Sequence, residues 1–209
     1  MILGDGSTWT DVNSALTTFQ TSVEKAGEAL EKMAAYDVEK AKAETEVARL
    51  ETQRTAKQKE ADTFTEASSL AYKAAARTSG QKVSDVLTVD ERIALLDQIN
   101  ATKRANSEAE ITLEQLDTMS AEALEGYGET FNASATSALR EVETISNNIV
   151  STWTTLETWV TENLGADSTE AVEAGEQVAA AEEAAVEAGT AVDVSVETGT
   201  EAATTLEET

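Results

Sequence analysis

Not one of the 209 residues is proline. Proline breaks helix interiors, because it lacks a backbone donor and its ring clashes with the preceding turn. Its absence leaves helices free to run for many turns, and the apolar residues follow the same rule. Val12, Leu16, Phe19, Val23, Ala26, Leu30 and Met33 recur at helical spacing. Gly6-Ser7-Thr8-Trp9-Thr10-Asp11 reads as an opening turn with several candidate N-caps, and no strong stop follows before Arg77. With Phe19 as an a position, later a and d positions hold Met33, Tyr36, Ala43, Val47, Leu50, Ala61, Phe64, Ala71 and Ala75. Lys40, Arg54 and Lys57 interrupt that register, so the seam is not a strong two-stranded zipper.

Thr78-Ser79-Gly80 ends this run, with Gly80 suited to a left-handed C-cap. Val83-Ser84-Asp85-Val86-Leu87 forms a link, and Thr88-Val89-Asp90-Glu91 is a capping box that starts a second run. The later part of that run carries the best amphipathic stripe of the chain: Leu139, Val142, Ile149, Trp153, Leu156 and Val160, with Ile145 alongside. Trp159 sits one position off the row. Gly126-Tyr127-Gly128 is a candidate break, since two glycines cost about 2 kcal/mol of helix propensity relative to alanine. The prediction is an all-α fold: residues 1–164 form a long antiparallel helical hairpin with arms 8–77 and 89–164, and a third helix is an option after Gly128. Each arm, if continuous, would be about 105 Å long, and the short connection makes the arms neighbours.

Composition changes after Leu164-Gly165. Residues 165–209 contain no Lys, Arg or aromatic residue and carry the near-repeats Val172-Glu173-Ala174-Gly175, Val186-Glu187-Ala188-Gly189 and Val196-Glu197-Thr198-Gly199. This tail is expected to be largely disordered or loosely helical. A helix over 168–188 competes with disorder, and Val192-Asp193-Val194-Ser195-Val196 alternates like a strand that could join a partner's sheet edge.

The net charge of −25 is uneven. Residues 25–104 are neutral, with 14 bases against 14 acids, whereas residues 141–209 hold 16 acids and no base. Such a region repels copies of itself, and the balance argues against nucleic acid or an anionic membrane surface as partner. The cations Lys73, Arg77, Lys82, Arg92, Lys103 and Arg104 make the hairpin turn mildly basic, but Asp85, Asp90, Glu91 and Asp97 offset them. No run approaches the ~20 apolar residues of a membrane span, and the Met1–Gly6 start does not resemble a signal peptide.

Catalytic chemistry has few residues to use. Without Cys or His there is no thiolate, imidazole ligand or Ser-His-Asp triad. The pairs Glu44/Glu46, Glu108/Glu110, Glu182/Glu183 and Glu207/Glu208 lack the histidines of a di-metal bundle site and the loop pattern of an EF-hand. They read as a solvated acidic face. Gly126-Tyr127-Gly128 lacks the ending of a phosphate loop. Asn100-Ala101-Thr102 and Asn132-Ala133-Ser134 match a glycosylation sequon but fall inside predicted helices. No catalytic, cofactor-binding or metal residue is expected. The candidates for partner contact are Leu139, Val142, Ile149, Trp153, Leu156, Trp159 and Val160.

One stretch carries a family resemblance. Ala74-Ala75-Ala76-Arg77-Thr78-Ser79-Gly80, Val83-Ser84-Asp85-Val86-Leu87, Ala94-Leu95-Leu96-Asp97 and Lys103-Arg104-Ala105-Asn106-Ser107-Glu108-Ala109-Glu110 resemble the middle of helical virion proteins of tailed phages, including the internal (ejection) proteins. There a long Ala/Gln-rich helix ends in a Ser/Gly turn, followed by a short Asp-Val-Leu-like segment and a second long helix. The resemblance covers about a sixth of the chain, has no invariant catalytic motif and transfers no functional residue. The acidic tail and the lack of an apolar N-terminal segment depart from it, which puts membrane insertion in doubt. It implies a virion assembly part. The chain is accordingly expected to be a non-enzymatic structural component of a phage or archaeal-virus particle, made in the host cytoplasm and acting by helix-mediated oligomerisation or docking in the neck, tail or internal core. Its expected partners are itself and other virion proteins, with no cofactor, nucleic acid or membrane. Two alternatives are an acidic capsid-assembly scaffold and a secreted or surface helical interaction or pore-forming protein.

Overall fold

The computed structural model describes residues 6–207, with side-chain environments given over residues 9–197. Residues 1–5, at the predicted non-signal start, and residues 208–209, with Glu208 of the last acidic pair, lie outside the described residues. The fold is all-α. Five helices follow in order among the described residues: α1 (Gly6–Ala75), α2 (Val89–Ala105), α3 (Leu113–Asp117), α4 (Ala121–Asn163) and α5 (Thr169–Glu207), with a 3-10 turn at Val83–Asp85. Helix α1 is already running at Gly6, so the opening turn expected over Gly6–Asp11 is helical instead. Two compact units divide the chain: a smaller one of Met1–Ala48 and Ser151–Ala179, and a larger one of Arg49–Val150 and Ala180–Thr209.

In the larger unit, Ala67, Leu70, Ala71, Ala74 and Ala75 of α1 pack with Val83 and Leu87 of the link, Leu95 and Ile99 of α2, Leu116 of α3, and Leu124 and Phe131 of α4. Phe131 is fully buried, and its ring lies 6.3 Å from Phe64 and 6.0 Å from Tyr127. Farther along, Ala61 meets Ala138 and Leu139 of α4 and Val192 of α5. Partners advance on one helix as they retreat on the other, so α1 and α4 are antiparallel here. In the smaller unit, Tyr36 and Ala43 of α1 pack with Leu156 and Val160 of α4 and Ala171 of α5.

The second predicted arm is not one helix. It ends at Ala105 and resumes at Ala121. Ser107 adopts a left-handed φ of 60°. The buried Asn100 side chain then clips the returning loop, donating to the Ile111 carbonyl (3.0 Å) and accepting from its amide (2.8 Å). Thr112 and Gln115 form a capping box that opens α3, and the Ser120 hydroxyl accepts the Ala123 amide as α4 begins. The predicted turn keeps its expected parts. Gly80 has φ +92°, and the Thr88–Glu91 capping box is reciprocal.

Gly126-Tyr127-Gly128 is helical throughout and is a site of close approach rather than a break. The Ser68 hydroxyl donates to the Gly128 carbonyl at 2.9 Å. A Cβ on Gly128 would sit 2.9 Å from the Tyr72 ring, whereas one on Gly126 would meet nothing within 4 Å.

Residues 169–207, expected to be largely disordered or loosely helical, form helix α5, and the strand-like 192–196 segment lies inside it. The reason is its apolar row. Ala171, Ala174, Val178, Ala181, Ala185, Ala188 and Val192 follow 3-4 spacing, and each is buried or half-buried. Gly165, at φ +102°, turns the chain, and the Ser168 hydroxyl accepts the Ala171 amide to cap α5.

Gly126→Ala should raise stability by up to about 1 kcal/mol, the usual helix gain over glycine. Gly128→Ala should fall short of that gain because the Tyr72 ring must move. Chemical denaturation in a Tyr72→Ala background checks this, where the difference between the two substitutions should disappear.

Candidate functional site

Five of the seven predicted contact residues, Leu139, Val142, Ile149, Leu156 and Val160, are buried within this single chain. Leu139 belongs to the cluster with Ala61 and Val192, while Leu156 and Val160 belong to the one with Tyr36, Ala43 and Ala171. Trp153 and Trp159 are half-buried against that second cluster. Trp159 also edges a shallow groove of about 290 Å³ with Glu39, Lys42, Ala43, Thr152 and Leu156. Leu139, Leu156 and Val160 thus pack against α1 and α5, while Ile145, Trp153 and Trp159 are partly exposed.

Two of the three interrupting cations of the α1 seam, Lys40 and Lys57, meet acids on the facing helices. Lys40 lies 3.6 Å from Glu173 of α5 and 5.6 Å from the Tyr36 ring centroid. Lys57 reaches Glu141 of α4 at 3.0 Å as well as Glu60 at 2.9 Å, and these two carboxylates hold its ammonium pKa above the ordinary value, Glu60 contributing more.

A different surface stands open. In the smaller unit every residue from Trp9 to Ala35 is exposed, and burial begins at Tyr36. The exposed stretch carries Trp9 (60% exposed), Val12, Leu16, Phe19 (66%), Val23, Leu30 (72%) and Met33 (37%). Their positions, with Ala26, advance by 3, 4, 3, 4, 3, 4 and 3 residues, the spacing of a heptad seam. About 40 Å of helix is involved. The sequence shows this row as helical spacing, but only the structure shows that α4 and α5 do not reach it.

A groove of the larger unit, about 630 Å³, lies among Ala61, Ser68 and Tyr72 of α1, Asn132 and Leu139 of α4, and Val194 and Ser195 of α5. Its ionisable lining is acidic or phenolic: Asp62, Glu187 and Tyr72. Burial, then Glu129 and Glu125, pushes the Tyr72 phenol above its ordinary pKa. Asp62 accepts a hydrogen bond from Gln58 at 2.9 Å. This lining offers hydroxyls, carboxylates and small apolar groups. Among the described residues, no group of three or more His, Cys, Asp or Glu side chains is placed to hold a metal. No described helix is long and apolar enough to cross a membrane.

Most cations at the turn are engaged. Lys73 pairs with Glu91 (2.8 Å), Arg92 with Asp117 (3.0 Å), Lys103 with Glu108 (2.9 Å) and Arg104 with Glu110 (3.0 Å). Arg77 donates to the carbonyls of Ala74, Gln81 and Met119, fastening the end of α1 to the loop before α4. The Asn100 sequon is occupied by its loop contact.

The Lys73 ammonium, aided by the Thr88 amide and hydroxyl, lowers the Glu91 carboxyl pKa to about 2 from an ordinary 4.5. A carboxylate with a lowered folded pKa stabilises the fold above about pH 4.5, and that contribution is lost as pH falls toward about 2. Thermal melts between pH 5 and 2 should therefore fall more steeply for the wild type than for Glu91→Gln. Parallel slopes would contradict the assignment.

Comparison with known proteins gives no match to a family model, a curated protein or a solved structure.

Proposed function

We propose that this chain is a non-enzymatic structural component of a viral particle, of tailed-phage or archaeal-virus type, working through helix-mediated docking in the neck, tail or internal core. The observation that carries the docking part is the uncovered apolar row of α1 from Trp9 to Met33. Contiguous exposed apolar surface of this extent marks an interaction site in a folded protein. The Ala/Glu-rich helix packing within each unit suits an assembly part, and the residue set offers no imidazole or thiol for catalysis. The viral setting rests on the resemblance of residues 74–110 to helical virion proteins.

Particles purified from the producing host and analysed by mass spectrometry test this reading. The chain is expected in genome-filled particles. Confinement to empty precursors would favour the acidic scaffold instead, and absence from both would refute the proposal.

A further inference from the structure

The open row of α1 has a charge pattern that narrows its partner. Take Trp9, Leu16, Val23 and Leu30 as a positions, and Val12, Phe19, Ala26 and Met33 as d positions. The flanking e positions are then Asn13, Gln20, Gly27 and Ala34, and the g positions are Ala15, Ser22 and Ala29. None is charged. All six charges between Trp9 and Ala35 (Asp11, Glu24, Lys25, Glu28, Glu31 and Lys32) fall on the outer b, c and f positions. In ordinary coiled coils the flanks carry Glu and Lys that select partners by charge. Here the face is broad, neutral and small-sided.

We propose that residues 9–35 of α1 associate with the same residues of a second copy of this chain as a coiled coil. This rests on reading the chain as an assembly part and supplies the partner of that surface. Three observations favour a second copy over another occupant. First, a cationic partner would find no carboxylate on the seam, and an acidic partner no lysine. A neutral face is self-complementary, so a copy can meet it without burying an ion. Second, each copy carries a charge of −25, concentrated after Arg140. Copies repel most strongly through those acidic segments, whereas residues 9–35 carry a net charge of only −2. Third, the seven large side chains, left 37–72% exposed, present on the order of 700 Å² of apolar surface. That approaches the ~800 Å² per partner of a standard stable interface. A membrane-surface helix would instead line its polar face with Lys and Arg, and this polar face is net acidic.

The chain has no cysteine, which makes the test direct. Val23 lies beside the midpoint of the segment, so it meets its own counterpart in either parallel or antiparallel pairing. Full-length Val23→Cys should be joined into a covalent dimer by a short bis-maleimide at micromolar protein. Thr21→Cys, on the outer face at the same height, should not. Sedimentation of the wild type should show concentration-dependent oligomers that strengthen with salt, because screening weakens the repulsion between acidic copies. Leu16→Asp/Phe19→Asp should sediment as a monomer with its remaining helices intact by circular dichroism. A wild type that stays monomeric, or equal cross-linking at both cysteines, overturns the proposal. An oligomer that survives Leu16→Asp/Phe19→Asp also overturns it, but leaves the particle-component reading standing. So does flotation of the wild type with neutral vesicles without cross-linking at Val23→Cys, which assigns the row to lipid.

Discussion

Alanine is the constraint on which the rest of the structure depends. The chain has 36 alanines, while Leu, Ile, Val and Phe together number only 40. A methyl side chain buries little surface and makes few contacts, so stability must come from many close contacts summed along rows. Ala61, Ala67, Ala71 and Ala74 of α1 and Ala135 and Ala138 of α4 are all buried in the larger unit, with Phe131 and Leu95 as the large anchors. The Ser68 hydroxyl reaches the Gly128 carbonyl because Gly128 has no side chain to hold the two helices apart. Two such helices would cover too little. Helix α5 adds a third row in each unit, and the chain thereby reaches burial that its composition alone argues against.

The same packing gives the uneven charge a local meaning. The segment with 14 bases contributes much of α1, and the acids that follow Arg140 lie largely on α4 and α5. Lys57 meets Glu141 in the larger unit, and Lys40 meets Glu173 in the smaller one. Exposed pairs of this kind contribute only about 0–1 kcal/mol each. Their effect is to let lysines occupy seam positions without burying an unpaired charge.

Much of this was legible in the sequence because helices announce themselves locally. The lack of proline, the 3-4 spacing of α1, the Gly80 stop and the Thr88–Glu91 box all depend on neighbours within a turn or two. The break at 106–120 was marked by Asn106-Ser107 and by Thr112-x-x-Gln115, but the continuing Ala/Glu composition hid it. Helix α5 was hidden for the opposite reason. Its glycines and acids resemble a disordered tail, yet Ala171, Ala174, Ala181, Ala188 and Val192 form a seam once a partner helix is present. Burial is a tertiary outcome. For the same reason the 139–160 stripe and the Trp9–Met33 row look alike in sequence. Only packing distinguishes the covered stripe from the open one.

Most helical stability in proteins comes from tertiary packing, so an uncovered stretch such as residues 9–35 should exchange its amides readily. Amide hydrogen exchange along α1, followed over a range of protein concentrations, therefore measures most directly whether this face is covered by another molecule. The predicted result is protection over residues 9–35 that rises with concentration, while protection over residues 49–75 stays constant. Rapid exchange over residues 9–35 at every concentration would contradict it.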